Sequence, residues 1–301
     1  MAASNLVLVT GASGVGRTVL DRLQAWDIPV RVLARREDER TAELRTLGAE
    51  VVLGDLTRPE TVAAALEGVR RMYFSMTVSP DYLLAATVVA TVAREHGTLD
   101  GLVDMSQMTV SQMTATSTEE SHQQRLHWLS EQVLNWSGLP VVHVRPTSFL
   151  DNPLFTTLAA RSIRANGTIA LPFGTGRTSP VAASDVAQVV ATVLRDPAPH
   201  VGQVYELTGP RTLDLVGVAE EFSRALGRPV TYVDVPLQRW LTEVLPKAGL
   251  TPHIEQHIGT MARLHHQNRY DRSTNDVERV TGVPAQTIEE FVAARKDFYL
   301  G

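Results

Sequence analysis

The sequence predicts an α/β protein: a doubly wound parallel sheet over residues 1–150, then a smaller C-terminal α/β lobe over 151–301 with segments returning to the first domain. Three observations predict it. An apolar run, Leu6–Thr10, passes directly into the glycine turn Gly11-Ala12-Ser13-Gly14-Val15-Gly16 and then a helical pattern. Strand and helix patterns keep alternating as far as Pro146, the rhythm of repeated β-α units. The strand runs are nearly continuous in hydrophobicity, as in sheets covered on both faces.

In chain order, Val30–Ala34 reads as the second strand and ends in Arg35-Arg36, while Val51–Gly54 reads as the third and ends in Asp55-Leu56. Pro59–Leu66 is a helix with Thr57 as its N-cap. Met72–Ser75 is the fourth strand, and Asp81–His96 a helix stopped at Gly97. Gly101–Ser106 is the fifth strand, Glu119–Trp136 a long helix, and Val141–Pro146 the sixth strand. Beyond Pro146, Asn166-Gly167 and Gly174-Thr175-Gly176 mark turns between short pieces. A helix over Asp185–Leu194 capped by Ser184, strands at Val204–Leu207 and Val230–Val233, a helix over Asp214–Leu226 and a mostly helical stretch from Leu237 to His266 complete the pattern.

Composition narrows the function classes. The 301 residues are 44% hydrophobic and 20% charged, with a formal net charge of −5 and no long basic run. Nothing points to nucleic acid or to an anionic membrane surface. The absence of cysteine excludes disulfides, thiolate metal sites and cysteine nucleophiles. The start of the chain has no basic, apolar leader pattern, and the longest apolar stretch, Tyr82–Ala93, is short for a membrane span. A cytoplasmic protein is expected.

The chemistry sits at the carboxyl ends of the strands, which places Gly11, Arg35, Asp55, Ser75, Ser106 and Pro146 on one rim. Gly11 permits a sharp turn and Gly14 lets backbone N–H groups approach an anion at a helix N-terminus. An acid after the second strand suits a ribose 2′-hydroxyl, whereas an arginine suits a 2′-phosphate. Arg35 and Arg36 therefore point to NADPH; the competing reading makes them a solvated turn before Glu37-Asp38-Glu39.

With those residues in view, the chain resembles the NmrA-like branch of the atypical short-chain dehydrogenase/reductase superfamily, and within it the NADPH-dependent quinone oxidoreductase type. The matching segments run through Thr10–Gly14, Gly54-Asp55-Leu56, His127–Glu131, Ser137–Pro140, Arg145-Pro146, Phe149–Asn152, Ser179–Val181, Ser184–Ala187, Tyr205–Gly209 and Asp276–Gly282. The resemblance implies a Rossmann-type domain binding NADPH and a lobe binding the substrate. It implies that Gly11, Ser13 and Gly14 meet the pyrophosphate, with Val15 also contacting the cofactor, Arg35 the 2′-phosphate, Asp55 and Leu56 the adenine, Ser75 and Met76 the ribose, and Pro146, Ser148 and Phe149 the nicotinamide. Pairing of two copies through helices beside strands four and five is implied as well.

Two departures stand out. Only Val15 separates Gly14 from Gly16, one residue fewer than usual in the family. The superfamily's Tyr-x-x-x-Lys pair falls on Gln123 and His127, neither of which reproduces tyrosine acid chemistry. His127 is the candidate catalytic residue, as ribose holder or proton donor; its other reading is a hydrogen-bonded helix histidine. Ser106 reads more readily as a cap for the following loop than as a substrate contact. His253 and His257, with Glu255 between, have one-turn spacing but no third ligand in view, so the bland reading is an exposed helix face and no metal is expected. His265-His266 and Tyr270 fall where the family lines its substrate pocket.

The leading expectation is hydride transfer from NADPH to a quinone or related conjugated carbonyl, with an aromatic or quinone-like small molecule as partner. A non-catalytic NADP(H)-binding redox sensor is the alternative from another class, and a pathway-tailoring ketone reductase or cyclase the third.

Overall fold

The computed structural model describes residues 5–11 and 13–301; Ala12 of the glycine turn and the first four residues of the chain lie outside the described residues. A seven-stranded sheet has the order β3-β2-β1-β4-β5-β6-β8. Its strands are β1 (Val7–Thr10), β2 (Val30–Ala34), β3 (Glu50–Leu53), β4 (Arg71–Phe74), β5 (Gly101–Met105), β6 (Val141–Pro146) and β8 (Val204–Leu207). The pairings from β3 through β6 are all parallel. The order reverses between β1 and β4, so the crevice beyond their carboxyl ends is the switch point at which such sheets bind ligands.

The helices of this part are α1 (Val15–Gln24), α2 (Glu39–Thr46), α3 (Pro59–Leu66), α4 (Tyr82–His96) and α5 (His122–Trp136). Alanines and valines fill the inner face of α4, and Leu8, Met72, Phe74, Leu102 and Val141 of the sheet join them in one core with Leu126 and Leu134 of α5. Among the described residues no helix is long and apolar enough to cross a membrane.

The chain divides into two compact units. The first takes the chain as far as Val110, then Gln123–Arg145 and Val186–Tyr205; the second takes Ser111–His122, Pro146–Asp185 and Glu206–Gly301. The second unit holds α6 (Ala159–Asn166), β7 (Thr168–Leu171), α8 (Leu215–Leu226), β9 (Thr231–Asp234), and, beyond a short helical turn α9 (Leu237–Arg239), α10 (Pro252–His266). Three short helices, α11 (Asp276–Thr281), α12 (Ile288–Ala293) and α13 (Lys296–Leu300), close it, while α7 (Ala183–Arg195) begins in this unit and runs into the first. β7 and β9 form a two-stranded parallel sheet, and Phe155, Phe222, Trp240, Phe291 and Tyr299 build the core of this unit.

Helix starts depart from the sequence reading for identifiable reasons. Thr57 does not cap α3: its N–H and hydroxyl both bond Asp55 Oδ1, at 2.9 and 2.8 Å, and Arg58 stands at the N-cap position with Pro59 fixing the first turn. Ser184 is inside α7 rather than before it, because Asp151 Oδ2 accepts the Ala183 N–H at 2.9 Å and caps the helix from 32 residues away. The long helix expected from Glu119 starts at His122. The strand over Thr168–Leu171 and the helix α2 carried too little periodicity to be read at all.

Candidate functional site

The site begins with Thr10, the last residue of β1. Its hydroxyl donates to the Ser75 carbonyl at 2.8 Å and accepts the Ser75 N–H at 2.8 Å, locking the ends of β1 and β4 together. Gly11 then turns the chain at φ +79°, close enough to Ser75 that a Cβ would lie 3.3 Å from its carbonyl oxygen. Gly16 shows how the shortened turn closes: a Cβ there would stand 1.9 Å from the Gly11 carbonyl oxygen, so only glycine lets the first turn of α1 pack on the backbone of β1's exit. Gly14 caps α1 at φ 54° and ψ −123°, and a Cβ added to it would meet none of the described residues within 4 Å. Open space thus lies beside the start of a helix whose first N–H groups lack intrahelical acceptors.

A groove of about 590 Å³ opens from this turn. Gly11, Ser13, Arg35, Asp55, Leu56, Ser75 and Met76 line it, together with Arg36, Asp38, Arg40 and Thr41. Seven sequence-predicted residues are thereby gathered on one wall-to-wall site. Asp55 is pinned there by the Thr57 N–H and hydroxyl, which, with the charges of Arg35 and Arg58, hold its carboxyl below the ordinary range. Gly54 is a close approach: its Cβ would fall 2.8 Å from Thr61 Cβ and 2.9 Å from Leu33 Cδ1.

Along α5, Gln123 is fully buried and its Oε1 accepts the Ser79 N–H at 3.1 Å. The His127 ring packs 4.0 Å from the ring of Tyr82, whose hydroxyl donates to the Met105 carbonyl at 2.7 Å. Burial pushes the Tyr82 phenol well above its ordinary value, so Tyr82 is no substitute for the missing acid. One turn on, Glu131 receives a two-pronged hydrogen bond from Arg145, with Nε to Oε1 at 2.9 Å. Beside it, His143 Nδ1 meets Asp104 Oδ2 at 2.8 Å and its Nε2 meets Asn135 Oδ1 at 3.0 Å. Burial raises the Asp104 carboxyl above its ordinary value. For His143, burial works against the proton, but the bond and charge of Asp104 outweigh it and the ring holds its proton more tightly. Asp104, Glu131 and His143 are the one group with metal-ligand spacing among the described residues, and Glu131 and His143 are hydrogen-bonded to Arg145 and Asn135.

The NmrA-like family model matches residues 3–293. The chain belongs to the NmrA-like family. It is 30% identical to the NAD(P)H azoreductase of Xenophilus azovorans over 96% of this chain and 97% of that one. It is 29% identical to the (4-alkanoyl-5-oxo-2,5-dihydrofuran-3-yl)methyl phosphate reductase of Streptomyces griseus, over 98% and 99% of the two chains. The NADPH complex of an Escherichia coli NADPH-dependent quinone oxidoreductase has the same fold, with a TM-score of 0.82 at 21% identity over 96% of this chain and 99% of that one. Family and full-length relatives class the chain with the NAD(P)H-dependent oxidoreductases.

Within this NmrA-like chain several sequence readings change. Ser106 is not a loop cap: its hydroxyl is buried at the carboxyl end of β5 and has no hydrogen-bond partner among the described residues. His257 is not on an exposed face but buried, with Nδ1 2.8 Å from the Ser121 hydroxyl; burial, then the charge of His253, pushes it down to about 4. His265 lies fully buried between the rings of Phe173, at 4.1 Å, and Tyr270, at 3.7 Å. Its Nδ1 donates to the Met261 carbonyl at 2.8 Å, its Nε2 lies 3.3 Å from the hydroxyls of Ser148 and of Thr178, and burial pushes it down to about 3. Pro146, Ser148 and Phe149 belong to the second unit, and His127 and Val15 to the first. Asp38, Arg40 and Thr41 were missed as site residues; the available signal was Asp38 three residues before Thr41, the spacing of a reciprocal helix cap, which these two residues form.

Proposed function

We propose that this protein is an NADPH-dependent reductase that delivers hydride to a quinone or another flat, conjugated acceptor. The observation that carries the reading is the groove itself: a glycine turn, a helix N-terminus and an arginine-rich wall meet at the switch point of a parallel sheet in a member of the NmrA-like family. The open space at Gly14 fits a pyrophosphate there. In this reading Gly11, Ser13, Gly14 and Val15 hold the pyrophosphate, Arg35 the 2′-phosphate, Asp55 and Leu56 the adenine, and Ser75 and Met76 the ribose. Asp55 contributes mainly through its backbone, since Oδ1 is committed to Thr57. His127 would steady the cofactor's second ribose.

The bound cofactor supplies the hydride; the protein supplies orientation and a polar group for charge developing on the acceptor oxygen. The buried, unpartnered Ser106 hydroxyl is the group suited to that oxygen, because a donor held out of water costs least when a ligand satisfies it. The azoreductase relative supports a flat, conjugated acceptor class.

Anaerobic NADPH oxidation with a panel of quinones and azo compounds tests the reading. Turnover with at least one of them, and a fall in kcat for Ser106→Ala, is expected. NADPH binding by calorimetry with no oxidation by any acceptor would replace the enzyme with a redox-sensing regulator.

A further inference from the structure

The arginine-rich wall of the groove contains its own anion. Asp38 lines the groove between Arg36 and Arg40, and its Oδ2 accepts Arg40 Nη2 at 2.8 Å and Nε at 3.2 Å. Arg36 Nε stands 3.6 Å from the same oxygen. Its Oδ1 accepts the Thr41 N–H at 3.2 Å, which fixes the carboxylate at the start of α2. Glu37, the neighbouring acid, is taken up by Arg45 and the Thr41 hydroxyl instead. Arg35 makes no salt bridge among the described residues. Among the described residues the wall therefore presents one arginine outside any salt bridge and two that share a fixed carboxylate.

This arrangement treats the two nicotinamide cofactors differently. A 2′-phosphate reaching Arg36 or Arg40 must share them with Asp38 and sit beside its negative charge. A 2′-hydroxyl needs an acceptor near the end of the second strand, which is the role acids play in NADH-selective sites. Of the two acids in the groove wall, Asp55 has Oδ1 committed to Thr57, and Asp38 is the one placed among the arginines.

We infer that Asp38 is a specificity-determining residue that narrows the preference of this site for NADPH over NADH by competing with the 2′-phosphate for Arg36 and Arg40. The inference rests on the reading of the groove as the dinucleotide site. Arg35 then secures a baseline preference for NADPH, and Asp38 limits it.

Asp38→Asn is the decisive variant, because asparagine caps a helix as well as aspartate and only the charge is lost; Asp38→Ser is a second cap-preserving form should the first fold poorly. Dissociation constants for NADPH and NADH, measured by calorimetry or by fluorescence quenching on the full chain, are the readout. We expect the ratio of NADH to NADPH dissociation constants to rise about 5- to 10-fold, mostly through tighter NADPH, and Arg40→Ala in the Asp38→Asn background to reverse most of that gain. An unchanged ratio in a folded variant that still binds both cofactors overturns the role of Asp38 while leaving the groove reading intact. Failure of the wild-type protein to bind either dinucleotide overturns the groove reading itself.

Discussion

Two clusters of arginines and acids lie in the first unit, and they do opposite things. At the rim, Arg35, Arg36, Asp38 and Arg40 sit in or near water, with Arg36 77% exposed, and their pairings are cheap to rearrange. In the interior, Asp104, Glu131, His143 and Arg145 are held by a fork, a ring and an amide, with the Glu131 and Asp104 side chains each 1% exposed. The same residue types make loose pairings where solvent screens them, and a rivet between α5, β5 and β6 where it does not. The rivet fixes the helix that carries Gln123 and His127; the rim pairs stay free to rearrange.

The sharpest way to break this contrast is to remove one member of the interior cluster. Arg145→Ala leaves Glu131 buried and unpaired, so a loss of about 3–5 kcal/mol in chemical denaturation is expected. Replacing Glu131 and Arg145 together by leucine and methionine should recover most of it, because no charge is then stranded. Equal losses for the single and double variants would mean that packing, not charge, holds α5 in place.

At the rim the large effect should be on binding. Arg35→Ala is expected to weaken NADPH by about 1.5–3 kcal/mol, the range for a hydrogen bond to a charged group, while NADH changes little. Calorimetry with both cofactors checks it, and parallel losses would move Arg35 away from the 2′-phosphate.

Acidity separates the clusters further, with opposite signs. His143 and Asp104 both hold protons more tightly in the folded chain, so the stability they contribute is complete below their ordinary values of 6.5 and 3.8 and declines as pH rises through the raised folded values. Asp38 is held below its ordinary 3.8 by the Arg40 bond and the Thr41 N–H, so its contribution is present above that value and disappears as pH falls through the lowered one. Denaturation midpoints of the wild type should therefore fall as pH rises above the ordinary histidine value of 6.5, and less steeply in His143→Asn. A profile identical in both would show that His143 binds its proton equally well folded and unfolded. The smallest effect is expected from Arg36→Ala, which should shift Tm by less than about 2 °C.

How much of this was legible depended on whether the signal was local. β2, α3 and β6 were read with their observed limits, since each is a short run bounded by turn chemistry. The glycine turn and Arg35 were legible for the same reason: a strand, a turn and a charge follow one another within the chain. Gly16 could be counted as a departure, but its necessity comes from a contact with Gly11 that spacing alone does not reveal. Asp38 was hidden in an acidic run that looks like any solvated turn. The interior cluster was invisible because its members come from β5, α5 and β6, and a lone Asp or His in an apolar strand announces no partner.

The stack around His265 carries a last consequence, one of direction. The Met261 carbonyl can only accept, so the proton on His265 is fixed at Nδ1 and Nε2 is left bare. With the ring pushed down to about 3, no second proton arrives at neutral pH. Nε2 then offers one lone pair to two hydroxyls, those of Ser148 and Thr178, each 3.3 Å away. A backbone oxygen thus makes a buried ring nitrogen a standing acceptor, and the Ser148 and Thr178 hydroxyls compete for it.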